Sequence, residues 1–389
     1  MISSLRLLFL LAFALRLALA ALISSETTKS SLPQYNDEPL HFEYVKHIAE
    51  HRAIPVYNPT FGGAGNPTAE FVQPPLYYIL AAQVFRWSRF LWQGSELYAT
   101  RFLSILFGLL AGMAALRIAR LSGLKENESL LTTACMLFFP NAVVFTSIVS
   151  NDALLIALSA MFVASLLSGR ASGAGWRRVM MTGVMLGLAV LTKLSALLLL
   201  PLVWFVAPPG LRRGEAWLRR GVALCIAAVM ILPLLAWNWS QYDRLVPLAS
   251  GYSPAEVTQW TNGAIYHPWA ALKYCLRSAV VPFDALWGSI PAKSITVVWL
   301  IVWLGFMLVG LYFWRREGLN NLVLILLVLV LAGFLAHNVK LFQVEFRLLA
   351  PAFTGFAMLT ALGASRLIRL KSPPMALFLA APVLALPFL

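Results

Sequence analysis

The chain has 389 residues, 60% of them hydrophobic and only 12% charged, with a mean hydropathy of +0.77. That composition excludes an ordinary soluble domain and indicates a multispan helical membrane protein, since each crossing takes about 20 apolar residues. The net charge of +14 would point to nucleic acid in a soluble protein, but the basic residues stand in short clusters between apolar runs, as topology control requires, so nucleic acid is not expected as a partner.

Residues 5–23, "LRLLFLLAFALRLALAALI", read as a retained first helix in which Arg16 turns toward protein or snorkels outward. Then comes "YNDEPLHF" at 35–42, which sets Asp37, Glu38 and His41 just outside that helix. An interfacial helix is predicted over 38–52, with Pro39 near its start. "FGGAGNPTAE" at 61–70 lacks the Gly-Lys-Ser/Thr ending of a phosphate loop and reads as a mobile loop. "PPLYYILAAQVFRWSRFLW" at 74–92 is long enough to span, but Arg86 and Arg89 break it, and a crossing there would invert every later loop. A second interfacial helix fits better, with Tyr77 and Tyr78 in an interfacial aromatic belt. Residues 24–100 thus form a long first extracytoplasmic loop.

Further spans are predicted at 101–119, 129–149, 152–168, 178–192, 195–208, 217–237, 294–314, 319–337, 347–368 and 374–388, giving about 11 transmembrane helices. Basic clusters at 117–125, 170–178, 212–220, 315–316 and 366–371 then all face the cytoplasm. Segment 178–208 must cross twice, because basic clusters flank both its ends. Its turn, near Thr192–Lys193–Leu194, lies below the outer surface, which makes Lys193 a cavity lysine. Residues 238–293 form a second long loop over the cavity. The fold class is an all-α polytopic membrane protein, one domain over 1–389. The isolated Cys135, Cys225 and Cys275 have neither metal nor redox spacing.

Of sixteen acidic residues, this topology leaves only Glu126, Glu128, Glu215 and Glu317 on the cytoplasmic side. Asp37, Glu38, Asp152, Asp243, Asp284 and Glu345 gather on the outer face with His41, His267, His337, Arg101, Lys193 and Arg347. A carboxylate there can act as general base toward a hydroxyl, while cations at the rim of an apolar groove hold a phosphate whose lipid tail lies in the membrane. Glycosyl transfer from a polyprenyl-phosphate sugar suits these groups. The competing readings are a transporter or flippase of lipid-linked sugars, which needs polar residues on both faces, and a scaffold that binds lipid headgroups.

Six stretches carry a family resemblance: "DEPLHF" at 37–42, "QPPLYYIL" at 73–80, "ATRFLSILFG" at 99–108, "SNDALL" at 150–155, "LTKLSALLLLP" at 191–201 and "EFRLLAPAF" at 345–353. In order and content they resemble the type-C (GT-C) membrane glycosyltransferases, nearest the protein O-mannosyltransferase and lipid A aminoarabinose transferase group. The resemblance implies a GT-C fold, a polyprenyl-phosphate-linked donor, an inverting displacement and an extracytoplasmic acceptor. It also implies catalytic carboxylates at Asp37, Glu38 and Asp152, with Asp37 as base, and phosphate contacts from Arg101, Lys193 and Arg347. His41, Gln73, Tyr77 and Glu345 are candidate substrate contacts. Gln73 stands where the aminoarabinose transferases have a phosphate-binding lysine. A divalent ion held by Asp37, Glu38 and Asp152 is left open, as are the sugar and the acceptor. A bacterial plasma (inner) membrane is the expected location.

Overall fold

The computed structural model describes residues 2–23, 37–58, 68–171, 175–207, 210–247, 275–276, 278–279, 290–340, 345–368 and 378–379. Among these residues all regular structure is helical. Helix α1 runs Ile2–Leu22, α2 Glu38–His51, α3 Leu76–Leu91, α4 Glu96–Leu121, α5 Glu126–Phe138 and α6 Pro140–Phe145. Helix α7 runs Asn151–Ala171, α8 Trp176–Thr192 and α9 Arg213–Tyr242, with a 3-10 stretch Leu194–Val206 between the last two. Helices α10 (Ile290–Arg316), α11 (Leu322–Lys340) and α12 (Phe353–Leu367) follow, with a 3-10 segment Phe346–Ala352 leading into α12.

Six helical segments among the described residues are long and apolar enough to cross a bilayer, α1, α4, α7, α9, α10 and the 346–367 stretch, and this is a multi-pass membrane protein. Two prolines mark departures from regular α-helix, whereas Pro233 is accommodated inside α9. The expected span 129–149 is cut in two, since Phe139 adopts extended backbone before Pro140, which then opens α6. Pro351 likewise lies in the 3-10 segment that precedes α12. Helix α9 continues five residues past its expected end, so 238–242 belong to it rather than to a loop. All of the expected span 374–388 except 378–379, and most of the 238–293 loop, including His267 and Asp284, lie outside the described residues.

Helix α7 is the axle of the bundle, buried over almost its whole length and packed on α4 and α8. Lys193 holds extended backbone (φ −159°, ψ 135°), so α8 ends there and the chain returns through the 3-10 stretch. Helices α10 and α12 cross at close range. A Cβ on Gly363 would stand 1.8 Å from the Phe306 carbonyl oxygen, and one on Gly310 would stand 2.0 Å from that of Leu359. Small residues let membrane helices approach this far, where dispersion takes the place of the hydrophobic drive.

The two bundle ends differ in chemistry. At one end Arg117 and Arg178 both reach Ser168, and Arg366 pairs with Glu128 and Glu317. At the other, the starts of α2, α4 and α7 meet the end of α8 and the 345–352 segment. Arg16, in mid-span, turns inward. It is 1% exposed and donates from Nε to Thr146 Oγ1 (2.8 Å) and from a terminal nitrogen to the Ala12 carbonyl (3.1 Å).

Candidate active site

Pro39 in the first turn of α2 fixes the helix start, which leaves Asp37 at the N-cap and Glu38 at the first helical position. The two adjacent carboxylates then point to different partners. Glu38 is fully buried and accepts from Arg101 at both oxygens, Nε to Oε1 at 2.7 Å and a terminal nitrogen to Oε2 at 2.5 Å. It also accepts the Val149 backbone N–H at 2.8 Å. Arg101, 1% exposed, spends its remaining terminal nitrogen on the carbonyls of Ala20 (2.5 Å) and Ile23 (3.0 Å). This bidentate pair ties together the end of α1, the starts of α2 and α4, and the turn before α7. Sequence reasoning expected Glu38 in catalysis and Arg101 on phosphate; here each is consumed by the other, out of reach of solvent.

Asp37 is less deeply buried than Glu38, 18% of its side chain remaining exposed. Its Oδ2 accepts from Arg347 at 2.5 Å, and the same guanidinium nitrogen lies 3.9 Å from Asp152 Oδ2. Arg347 also donates to Glu345 and sits over the Phe145 ring, 5.1 Å from its centroid. Asp152 in turn takes Lys193 Nζ at 2.6 Å. Asp37, Arg347, Asp152 and Lys193 therefore form one alternating chain of charge, contributed by positions up to 310 apart in sequence. Burial would raise the Asp37 carboxyl, but Arg347 and then His41 reverse that and hold it far below the usual carboxylate range. Glu345 is pushed the other way: burial raises it, Arg347 opposes, and Asp37 adds to the rise. Asp152 does not cap α7. The Ser150 hydroxyl does, accepting the Asp152 N–H at 3.2 Å, which leaves the carboxylate for Lys193.

His41, one helical turn from Asp37, is 2% exposed. Its Nδ1 lies 2.7 Å from the Tyr78 hydroxyl and 3.6 Å from Glu70 Oε2, and its Nε2 lies 3.4 Å from Asp37 Oδ2. Burial favours the neutral ring, yet the flanking carboxylates, Glu70 before Asp37, win and raise its basicity. Glu70 was not singled out from the sequence: it closes the glycine-rich stretch read as loop. The 3-10 turn Ala69–Val72 carries it to His41, and the one available signal was its place three residues before Gln73-Pro-Pro.

Tyr77 and Tyr78 are both fully buried, which corrects the expected interfacial belt. Tyr77 bonds Ser104 Oγ (2.8 Å) and accepts the Ser150 N–H (3.1 Å), so it supports the α7 start and does not face the charged chain. Tyr78 stacks on Tyr44, ring centroids 3.8 Å apart. Gln73 offers its carbonyl to the Tyr44 hydroxyl at 3.2 Å, and its side-chain oxygen lies 3.5 Å from Asn151 Nδ2. The exposed aromatic side chains of this segment are instead at the far end of α3: Trp87, Phe90 and Trp92.

The set Asp37, Glu38 and Asp152 does not fit a metal, because Glu38 is bound by Arg101 and Asp152 by Lys193. Asp37, His41 and Glu70 do fit: one ligand atom from each lies within 4.8 Å of the others.

Comparison with known proteins bears on the fold. Residues 73–239 match the family described as dolichyl-phosphate-mannose-protein mannosyltransferase. No curated protein sequence matches the chain. Among solved structures, ArnT from Cupriavidus metallidurans bound to undecaprenyl phosphate superposes with a TM-score of 0.56 at 16% identity, over 93% of this chain and 60% of that one. The Archaeoglobus fulgidus oligosaccharyltransferase in complex with Zn and sulfate gives 0.59 at 13% identity, over 97% and 51%. The same organism's AglB with an inhibitory peptide and a dolichol-phosphate gives 0.57 at 13%, over 94% and 50%. The chain spans half to three fifths of the length of these proteins. The fold is that of the type-C membrane glycosyltransferases.

Proposed function

We propose that the chain is a membrane glycosyltransferase that moves a sugar from a polyprenyl-phosphate donor to an acceptor hydroxyl, working at the extracytoplasmic face of a bacterial plasma membrane. The observation that carries this reading is the largely buried alternation of Asp37, Arg347, Asp152 and Lys193 at the bundle end away from the basic clusters. The fold likeness and the lipid phosphates named in the ArnT and AglB structures support it.

The roles follow from the contacts. Asp37 takes the acceptor hydroxyl's proton, the hydroxyl oxygen bonds to C1 of the sugar, and the C1–O bond to the lipid phosphate breaks with inversion. Lys193 and Arg347 receive the phosphate's charge, so no general acid is required. Arg347 now holds Asp37 Oδ2; a donor phosphate that draws the guanidinium away frees that oxygen for the proton. Asp152 orients both cations. Glu38 and Arg101 hold the frame and touch no substrate.

Transfer of labelled sugar from synthetic polyprenyl-phosphate donors by purified protein tests this. Asp37→Asn should lose about 10²–10⁴-fold in rate, the usual worth of a general base. Unchanged transfer by that variant removes Asp37 from the role.

A further inference from the structure

We infer that Asp37, His41 and Glu70 form a binding site for a divalent transition-metal cation on the side of Asp37 away from Arg347. Three observations converge on it.

The first is valence left unused. Asp37 Oδ1, His41 Nε2 and Glu70 Oε2 are all buried and make no hydrogen bond. Buried polar atoms nearly always have a partner, and three orphans in one place call for a shared one. The second is orientation from outside. The Tyr78 hydroxyl at His41 Nδ1 fixes the ring, the arrangement by which an outer residue sets a histidine ligand. Arg347 fixes Asp37 through Oδ2 alone and leaves Oδ1 free to ligate.

The third is charge. In the cluster, the carboxylates of Asp37, Glu38, Glu70, Asp152 and Glu345 face the cations of Arg101, Lys193 and Arg347. Five against three leaves two negative charges once His41 gives up its proton to ligate, and one dication cancels them. A phosphodiester donor would bring another negative charge into the same pocket, so the reaction needs the surplus removed before the donor enters.

One imidazole and two carboxylates favour Zn2+ or Mn2+ over Mg2+ or Ca2+. Three protein ligands leave a position open for water or for an acceptor oxygen. With donor distances of about 2.1 Å, loading draws the ligand atoms inward by about an ångström. The cation's use in catalysis rests on the transferase reading; its binding does not.

The test is direct. Full-length protein in detergent micelles, stripped with chelator, is titrated with Mn2+ while free ion is followed by its EPR signal, with Zn2+ as competitor. One ion per chain is expected in the wild type, at least about tenfold weaker in Glu70→Gln and His41→Gln, and weakened much less than that in Glu345→Gln, which removes a charge from the cluster but no ligand atom. Glu70→Asp keeps the charge at shorter reach and serves where the amide variant does not fold; it should bind several-fold more weakly. Absence of stoichiometric binding in the wild type overturns the site, as does wild-type affinity in folded Glu70→Gln or Glu70→Asp. So does loss in Glu345→Gln alone, which would move the ion to the other side of Arg347. Because ion binding is the readout, a negative result for sugar transfer leaves it untouched.

Discussion

Replacing Glu38 with glutamine keeps the shape of the side chain and removes one charge from a pair that water does not reach. In the wild type both Glu38 oxygens are taken by Arg101, at 2.7 and 2.5 Å, and the Val149 N–H adds a third bond at 2.8 Å. The amide still accepts at one oxygen but presents an N–H₂ to a guanidinium, and Arg101, 1% exposed, becomes a buried cation with carbonyl partners only. Breaking a buried pair from one side costs about 3–5 kcal/mol. At roughly 2 °C per kcal/mol for a large chain, the thermal midpoint in detergent falls by about 6–10 °C, read by tryptophan fluorescence and by loss of the monodisperse elution peak. Because the cost is that of an orphaned charge, removing both should hurt less. Glu38→Met with Arg101→Leu is expected to recover much of the loss. A Glu38→Gln protein as stable as wild type but inactive would refute the reasoning and return Glu38 to the chemistry.

Lys193→Met leaves the fully buried Asp152 without its 2.6 Å partner; donor KM should rise at least about tenfold in the transfer assay, with stability falling by about 3 kcal/mol. Tyr78→Phe keeps the stack on Tyr44 and deletes the 2.7 Å contact to His41; Mn2+ affinity should drop about tenfold while the fold survives, measured in the same EPR titration. Gly363→Val places branched carbon against the Phe306 carbonyl and should abolish the α10–α12 crossing, seen as loss of the monodisperse peak. Gly214→Ala, at a position with open space around it, is the matched control and should leave that peak unchanged.

Much of this architecture was legible in the sequence because it is set locally. Bilayer thickness and the cost of an unpaired peptide group dictate where apolar runs become helices, and basic clusters mark the ends that share a side. The turn at Lys193 followed from charge on both flanks of residues 178–208, and the helix within residues 74–92 from its apolar run. Proline effects were less legible: Pro140 splits one expected span, because the residue before it is driven out of helical backbone.

What only the tertiary structure decided is who partners whom. Asp37 and Glu38 are neighbours in the chain with the same functional group, yet one meets Arg347 and the other Arg101. Helix α2 starts between them and sends their side chains different ways, and nothing in local sequence says which distant cation waits in each direction. Glu70 shows the same limit from the other side. It gained a candidate role only when a short 3-10 turn carried it to His41. Hydropathy and charge pattern are sums over near neighbours; the strength of an ion pair depends on burial and on angstrom-scale contact between remote segments, and only the packed bundle supplies those.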